Sequence, residues 1–246
     1  MRLIVLSDIH GNLEALLAVL ADARRVAPGA AIVCLGDVVG YGADPEAAAR
    51  MVMESGAACV MGNHEMGVTD LRSRSRFNPQ AWDSVLWARS RLSPETRRWM
   101  AGLPASLSLE GCRFVHGLPP DEVDTYLFQA SAAKAVQAME GIAEDVCFVG
   151  HTHQLRLVRV ENGRLSGGRL EEGVSRLAPT VKYIVNAGAV GQPRDGNPKA
   201  KYCLYEPASR ELVVRFVDYD AQAAADKIIA SGQPRVYADR LTQGAS

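Results

Sequence analysis

The stretch MRLIVLSDIHGN, residues 1–12, decides the fold. Its first half is crowded with apolar residues, as in a buried strand, yet it runs out in Asp8 and His10, side chains that are costly to bury without partners. The pattern returns along the chain. RLIVLS (2–7) is followed by AIVCLG (31–36), AACVMG (57–62), CRFVHG (112–117) and DVCFVG (145–150), most of them ending in Gly or a polar group. Between the early runs lie helical patterns. LEALLAVLADARR (13–25) has apolar residues at helical spacing behind Asn12 as N-cap, and DPEAAARMVMESG (44–56) has Asp44 as N-cap, Pro45 at the first helical position and Gly56 at the stop. Such alternation predicts a layered α/β fold whose strands are covered on both faces.

From Met66 to Leu103 the texture changes to an Arg- and Trp-rich segment, read as a loop and two helices that form a cap over a cleft. After His153 the chain turns β-rich: LRLVRV, an ENG turn, VKYIVN, KYCLYE and ELVVRFV. A last helix, DAQAAADKIIASG (220–232), precedes what reads as a polar tail. With no repeat and no low-complexity linker, residues 1–246 are expected to form a single domain with a cap-like insertion at about 66–103.

At 246 residues and 48% hydrophobic, the chain can bury a sizeable core without disulfides. Its net charge of −1 gives no sign of a nucleic-acid or membrane surface. The five cysteines are scattered, mostly inside apolar runs and without zinc-site spacing, as expected of reduced, buried thiols. No apolar run approaches spanning length and no leader-like segment precedes the first strand, so the expected location is cytoplasmic.

All five histidines sit at or just beyond the end of an apolar run: His10, His64, His116, His151 and His153. Asp37 and Asn63 each follow a Gly that ends a strand. Side chains two apart on an extended segment point the same way, so Asp8 with His10, and His151 with His153, can each aim two donors at one point. A single histidine in such a place is more often structural; the joint pattern points to metal. Oxygen and nitrogen donors without thiolate suit Mn²⁺, Fe or Zn²⁺ better than Ca²⁺ or Mg²⁺ alone. Six or seven donors exceed one tetrahedral ion and fit two that share a carboxylate.

The order D-x-H, G-D, G-N-H-E, a separate H and G-H-x-H resembles the calcineurin-like metallophosphoesterases. SDIHGNLEAL, GDVVGYGADP, FNP leading to LSPE, GHTHQ and GAVGQPRDG resemble the small bacterial phosphodiesterase branch, over most of Met1 to about Asp218. The resemblance implies a four-layer α/β/β/α sandwich, two mixed sheets flanked by helices. It implies one metal on Asp8, His10, Asp37 and His153, and a second on Asp37, Asn63, His116 and His151. His64 falls on the family's general-acid position. Two divalent transition-metal ions are expected, Mn, Fe or Zn, with Ni or Mg also accommodated. About 3.5–4 Å apart, they would lower the pKa of a shared water and neutralise phosphoryl oxygens.

The chain departs from the related protein phosphatases at GDVVGYG. Gly40 stands where they carry an acid that orients the catalytic histidine, and Tyr41 where they carry a phosphate-binding Arg. Loss of a fixed cation favours a diester over a dianionic monoester. Asp44 is read as a cap rather than as a substitute orienting group. Arg194 has two readings: a cation for substrate, or a loop salt bridge with Asp195. Asn12, beyond its capping role, is a candidate for contact near the site and for substrate binding. Arg72, Arg74 and Arg76 read as a solvated face, and Trp82, Trp87 and Trp99 as helix packing.

The leading expectation is thus hydrolysis of a phosphodiester in a small organic or nucleotide substrate. The alternatives are a phosphomonoester, phosphoprotein or dinucleoside polyphosphate as substrate, or a non-catalytic interaction scaffold of the same fold. The absence of a long basic stripe argues against a nucleic-acid partner. No membrane partner is expected, and a homo-oligomer is left open.

Overall fold

The computed structural model describes residues 1–243. In chain order, β1 (Leu3–Leu6), α1 (Leu13–Val26), β2 (Ala31–Cys34), α2 (Pro45–Glu54), β3 (Ala58–Cys59) and α3 (Asn63–Thr69) lead to a 3₁₀ turn at Leu71–Arg76. Helices α4 (Pro79–Arg91) and α5 (Pro94–Ala101) follow, then β4 (Ser106–Leu109), β5 (Cys112–Val115), α6 (Ala132–Glu140) and β6 (Val146–Val149). The β-rich part is β7 (Leu155–Glu161), β8 (Arg164–Arg169), β9 (Gly173–Arg176), β10 (Lys182–Ala187), β11 (Ala200–Glu206) and β12 (Glu211–Val217). Two helices close the chain, α7 (Ala221–Ala230) and α8 (Arg235–Gln243).

The strands form two six-stranded sheets, β3-β2-β1-β11-β12-β9 and β4-β5-β6-β10-β7-β8. Both are mixed: β1 is parallel to β2 and antiparallel to β11, and β10 is parallel to β6 and antiparallel to β7. Period-two alternation builds the layers. Leu3 and Val5 of β1 face the core between the sheets, while Ile4 and Leu6 face the helices. In the second sheet Phe148 points into the shared core, stacked on Phe114 at 5.4 Å, and Cys147 and Val149 pack under α6. Truncating either ring would cost about 3–5 kcal/mol. All five cysteines are free and buried.

The expected four-layer arrangement is therefore present. Helices α4 and α5 contribute Trp82, Val85, Ala88 and Met100 to the same core that α1 and α2 cover, so much of the cap segment packs against α2 and α3. Pro79 and Pro94 open these two helices behind Asn78 and Ser93, whose side chains accept from Ala81 N and Thr96 N. Two local readings are corrected. Asp44 occupies the N-cap position of α2 but makes no capping bond; its carboxylate takes Lys227 Nζ at 2.9 Å instead. The polar tail contains α8, which buries Tyr237, Ala238 and Leu241 along one helical face.

Candidate metal centre

The C-terminal ends of β1, β2, β3, β5 and β6 open onto one crevice between the sheets, where α/β folds place their ligands. The residues expected at these tips do converge, but not by the geometry expected. Asp8, His10, His151 and His153 lie beyond their strands in left-handed backbone (φ 54°, 50°, 66° and 59°), as does Asp37 (φ 52°). The paired side chains are thus aimed by turns rather than by an extended segment. Of the nine non-glycine residues in this conformation among the described residues, these five and Tyr41 surround the crevice. Strain of this kind, about 1–3 kcal/mol per residue, persists only where neighbours enforce it. Gly150 lets β6 approach β1: a Cβ there would collide with Ser7 Oγ and lie 2.8 Å from Asp8 Oδ2.

Two donor groups result. Asp8, His10, Asp37 and His153 bring ligand atoms within 4.8 Å of one another, as do Asp37, His116 and His151. Asp37 belongs to both: its Oδ2 lies 3.7 Å from His10 Nε2 and 3.2 Å from His116 Nε2. Asn63 Oδ1 joins the second group, 3.2 Å from His116 Nε2. His151 and His153 fall into different groups, so they do not chelate at one point as a pair; the tight turn between them sends their rings apart.

Proton placement on the rings follows from their outer partners. His10 Nδ1 bonds Val39 O at 3.0 Å, His116 Nδ1 bonds Leu35 O at 2.7 Å, and His153 Nδ1 bonds Gln192 O at 2.5 Å. A carbonyl only accepts, so each Nδ1 carries the hydrogen and neutral rings aim Nε2 lone pairs inward. His10 Nε2 and His153 Nε2 then face each other at 3.2 Å with no hydrogen between them. Asp8 Oδ2 accepts from Ser7 Oγ at 2.6 Å and His151 N at 3.1 Å, which leaves Oδ1 buried and unpartnered, 3.2 Å from His153 Nε2. His151 Nε2 is likewise buried without a partner. Lone pairs converging on one point in a buried site fit a cation.

The electrostatics agree. Burial holds the His10 and His153 imidazoles well below their usual range and lowers His151 to about 3, the neutral state a metal requires. His116 is the exception: burial opposes its charge, but Asp37 beside it raises it to about 10, so without metal a proton sits where the second cation would. Asp37 stays well below the carboxylate range because His116 and His64 outweigh the burial that opposes ionisation. Asp8 is pushed up to about 6, first by burial and then by Asp37.

His64 lies beside this centre without facing either donor group. Its backbone N donates to Asp37 Oδ1 at 2.8 Å, and its buried Nδ1 has no partner. Its ring packs against His10, Tyr41 and Phe77 at 4.7, 4.8 and 5.9 Å. Asp44, engaged with Lys227, does not orient it.

A cleft of about 190 Å³ leads to the centre, its walls including Asp37, Asn63, His64, His151, His153 and Arg194. Arg194 stacks over Tyr41 at 5.9 Å and donates to Gln192 Oε1 at 3.2 Å. The salt bridge with Asp195 is absent because buried Lys201 takes that carboxylate at 2.8 Å. Asn12 does not line the cleft. Its side chain caps Ala15 N at 3.1 Å and donates to Gly191 O at 2.9 Å and Tyr219 Oη at 3.3 Å, tethering loops behind the site. Arg72 is solvated beside Asp70, whereas Arg76 lines the cleft and pairs with Asp124 at 2.6 Å.

Several contributors were not read from sequence. Glu65, fully buried, accepts from Asp37 N, Val38 N, Val39 N and Gly62 N at 2.7, 2.9, 3.3 and 3.0 Å, and so shapes the loop that presents Asp37. Burial and the neighbouring Asp37 charge raise its carboxyl to about 7. Tyr126 stacks on His151 at 3.7 Å, and Tyr237 and Arg240 reach the cleft from α8.

Paired sheets with this donor set at their meeting edge define a metallophosphoesterase. The family model of the calcineurin-like phosphoesterase superfamily domain matches residues 1–210. The chain belongs to the calcineurin-like phosphoesterase superfamily. It is 35% identical over 245 residues to an uncharacterized protein of Methanocaldococcus jannaschii, covering 98% of this chain and 97% of that one. A metallophosphoesterase from Sphaerobacter thermophilus superposes with a TM-score of 0.86 and 31% identity over the whole of both chains. A hypothetical protein from Pyrococcus horikoshii OT3 shares the fold, with a TM-score of 0.79, 17% identity and coverage of 100% and 99%. Superfamily membership makes the chain a metal-dependent phosphoesterase by class, and among the described residues no helix is long and apolar enough to cross a membrane.

Proposed function

We propose that the chain hydrolyses a phosphodiester of a small organic or nucleotide substrate, using two divalent transition-metal ions such as Mn²⁺, Fe or Zn²⁺. The observation that carries this reading is the contact between His10 Nε2 and His153 Nε2 beside the unpartnered Asp8 Oδ1, with Asp37 shared by a second such group. Bound there, the ions would supply an activated water and neutralise charge on the phosphoryl group.

The chain's own residues do the rest. Asp8, His10, Asp37 and His153 would hold one ion, and Asp37, Asn63, His116 and His151 the other. Tyr126 covers His151 and limits water there. His64, which lines the cleft and packs its Nδ1 toward Gly40, would give a proton to the leaving oxygen from Nε2, a step worth about 10²–10⁴ in rate. Burial lowers His64 to about 4, against the pull of Asp37, so the approaching phosphate charge must raise it before it can act.

Gly40 and Tyr41 at the phosphate-binding turn support the diester reading. Phosphomonoester hydrolysis is the second reading, favoured by Arg194 in the cleft. A non-catalytic scaffold has no use for buried, unpartnered donors. The test is hydrolysis of bis-p-nitrophenyl phosphate against p-nitrophenyl phosphate after metal stripping and Mn²⁺ add-back. Diester preference is expected, monoester preference would overturn it, and activity on neither would favour the scaffold.

A further inference from the structure

Arg194, in the loop before β11, and Arg240, on α8, both line the cleft. Both are half-buried, and the neighbouring acids are engaged elsewhere: Asp195 with Lys201 at 2.8 Å, and Asp239 with Arg235 at 3.5 Å. Arg194 Nε is buried without a hydrogen-bond partner. Arg76, by contrast, has its charge matched by Asp124. Neither Arg194 nor Arg240 pairs with Asp8 or Asp37, whose ionic contacts among the described residues are all histidines. Two cations without a carboxylate partner among the described residues thus line the cleft that leads to the metal donors, beside the Tyr41 and Tyr237 rings, which meet at 5.0 Å.

We propose that Arg240 and Arg194 form an anion subsite that binds a second, non-scissile phosphate of the substrate. This deepens the phosphodiesterase reading and rests on it for the site of cleavage. Partly desolvated guanidinium groups repel one another, and a phosphate relieves the repulsion while accepting their forked N–H donors. Burial and the Arg194 charge pull Arg240 below its ordinary value, in keeping with a pair that lacks its counter-charge. The substrate class is a small organic diester with a second phosphate, such as a phosphorylated nucleotide ester.

The test uses the full Mn²⁺-loaded chain and two probes with the same scissile bond: thymidine 5′-(p-nitrophenyl phosphate) and its 3′-phosphorylated form. The wild type should show a KM about tenfold lower for the phosphorylated probe, the scale of one charge-assisted contact. Arg240→Gln should abolish that preference by raising KM for the phosphorylated probe to that of the plain one, and Arg240→Lys should restore part of it. Equal KM values in the wild type, or equal losses on both probes in Arg240→Gln, would overturn the subsite. Calorimetric binding of thymidine 3′,5′-bisphosphate keeps the two readings apart. If neither probe is cleaved but this binding weakens about tenfold in Arg240→Gln, the subsite stands and the diesterase reading falls. Binding indifferent to Arg240 overturns the subsite whatever the activity.

Discussion

Gly40→Ala is expected to act as a knock-out of His64 without touching its side chain. A Cβ at Gly40 would lie 2.6 Å from His64 Cε1 and closer still to Nδ1. The ring has no retreat, because His10, Tyr41 and Phe77 pack around it. To reach ordinary contact the imidazole must shift by roughly an ångström, and misplacement of that size costs about 10²-fold in rate. The backbone at φ 96° adds strain of about 1–2 kcal/mol for a non-glycine residue. For a chain of this size that lowers Tm by about 2–8 °C. The assay compares kcat for methyl p-nitrophenyl phosphate with that for a dialkyl phosphate, alongside metal content and a thermal melt. Nitrophenolate leaves with little protonation, so the nitrophenyl ester should slow slightly and the dialkyl ester about 10²-fold, with metal retained and His64→Ala behaving alike. Equal slowing of both esters with metal retained would refute the proton-donor role. Unchanged rates on both would refute the packing argument.

Glu65→Gln leaves two buried N–H groups around the Asp37 loop facing an amide donor, at about 1–3 kcal/mol each, so a lower melting temperature and weaker metal retention are expected by thermal shift and metal analysis. Lys201→Met leaves buried Asp195 only the longer Arg169 contact at 3.7 Å and the Asn197 N–H, and by up to about 3–5 kcal/mol should lower Tm by up to about 6–20 °C in the same melt. Metal affinity should rise with pH through about 6 as Asp8 deprotonates, and binding at neutral pH should release the His116 proton; calorimetry in two buffers of different ionisation enthalpy reads both. Asp22 is drawn down to about 2 although burial opposes it, because Arg215, Tyr202 and Arg25 bond its carboxylate. Its contribution of about 2 kcal/mol is present above its unfolded value near 4 and lost as pH falls toward 2, so Asp22→Asn should flatten that limb of the acid-unfolding curve.

The layer order and the strand tips were legible because period-two alternation and polar run-ends are written locally, as in β1 with Leu3 and Val5 on one face and Asp8 just beyond. How the tips converge was not legible. The left-handed turns at Asp8, His10, Asp37, His151 and His153 are imposed by backbone bonds such as His10 N to Asp37 O at 2.9 Å, which join segments far apart in sequence. Asp44 shows the limit of a cap signal: the position is right, but a lysine on a distant helix captures the side chain. Helix α8 did leave a trace, Tyr237, Ala238 and Leu241 at helical spacing, hidden in a stretch otherwise rich in polar residues. Glu65 sat in plain view within GNHE, but its part in holding the Asp37 loop depends on four N–H groups, three of them in another segment.

The most direct measurement is the stoichiometry of Mn²⁺ or Zn²⁺ bound to the metal-stripped chain, by titration and elemental analysis, in the wild type, His10→Ala and His151→Ala. Two ions per chain in the wild type and one in each variant are expected, because the two histidines serve different donor groups joined at Asp37. An empty wild type, or a single ion indifferent to the loss of His151, would contradict the account.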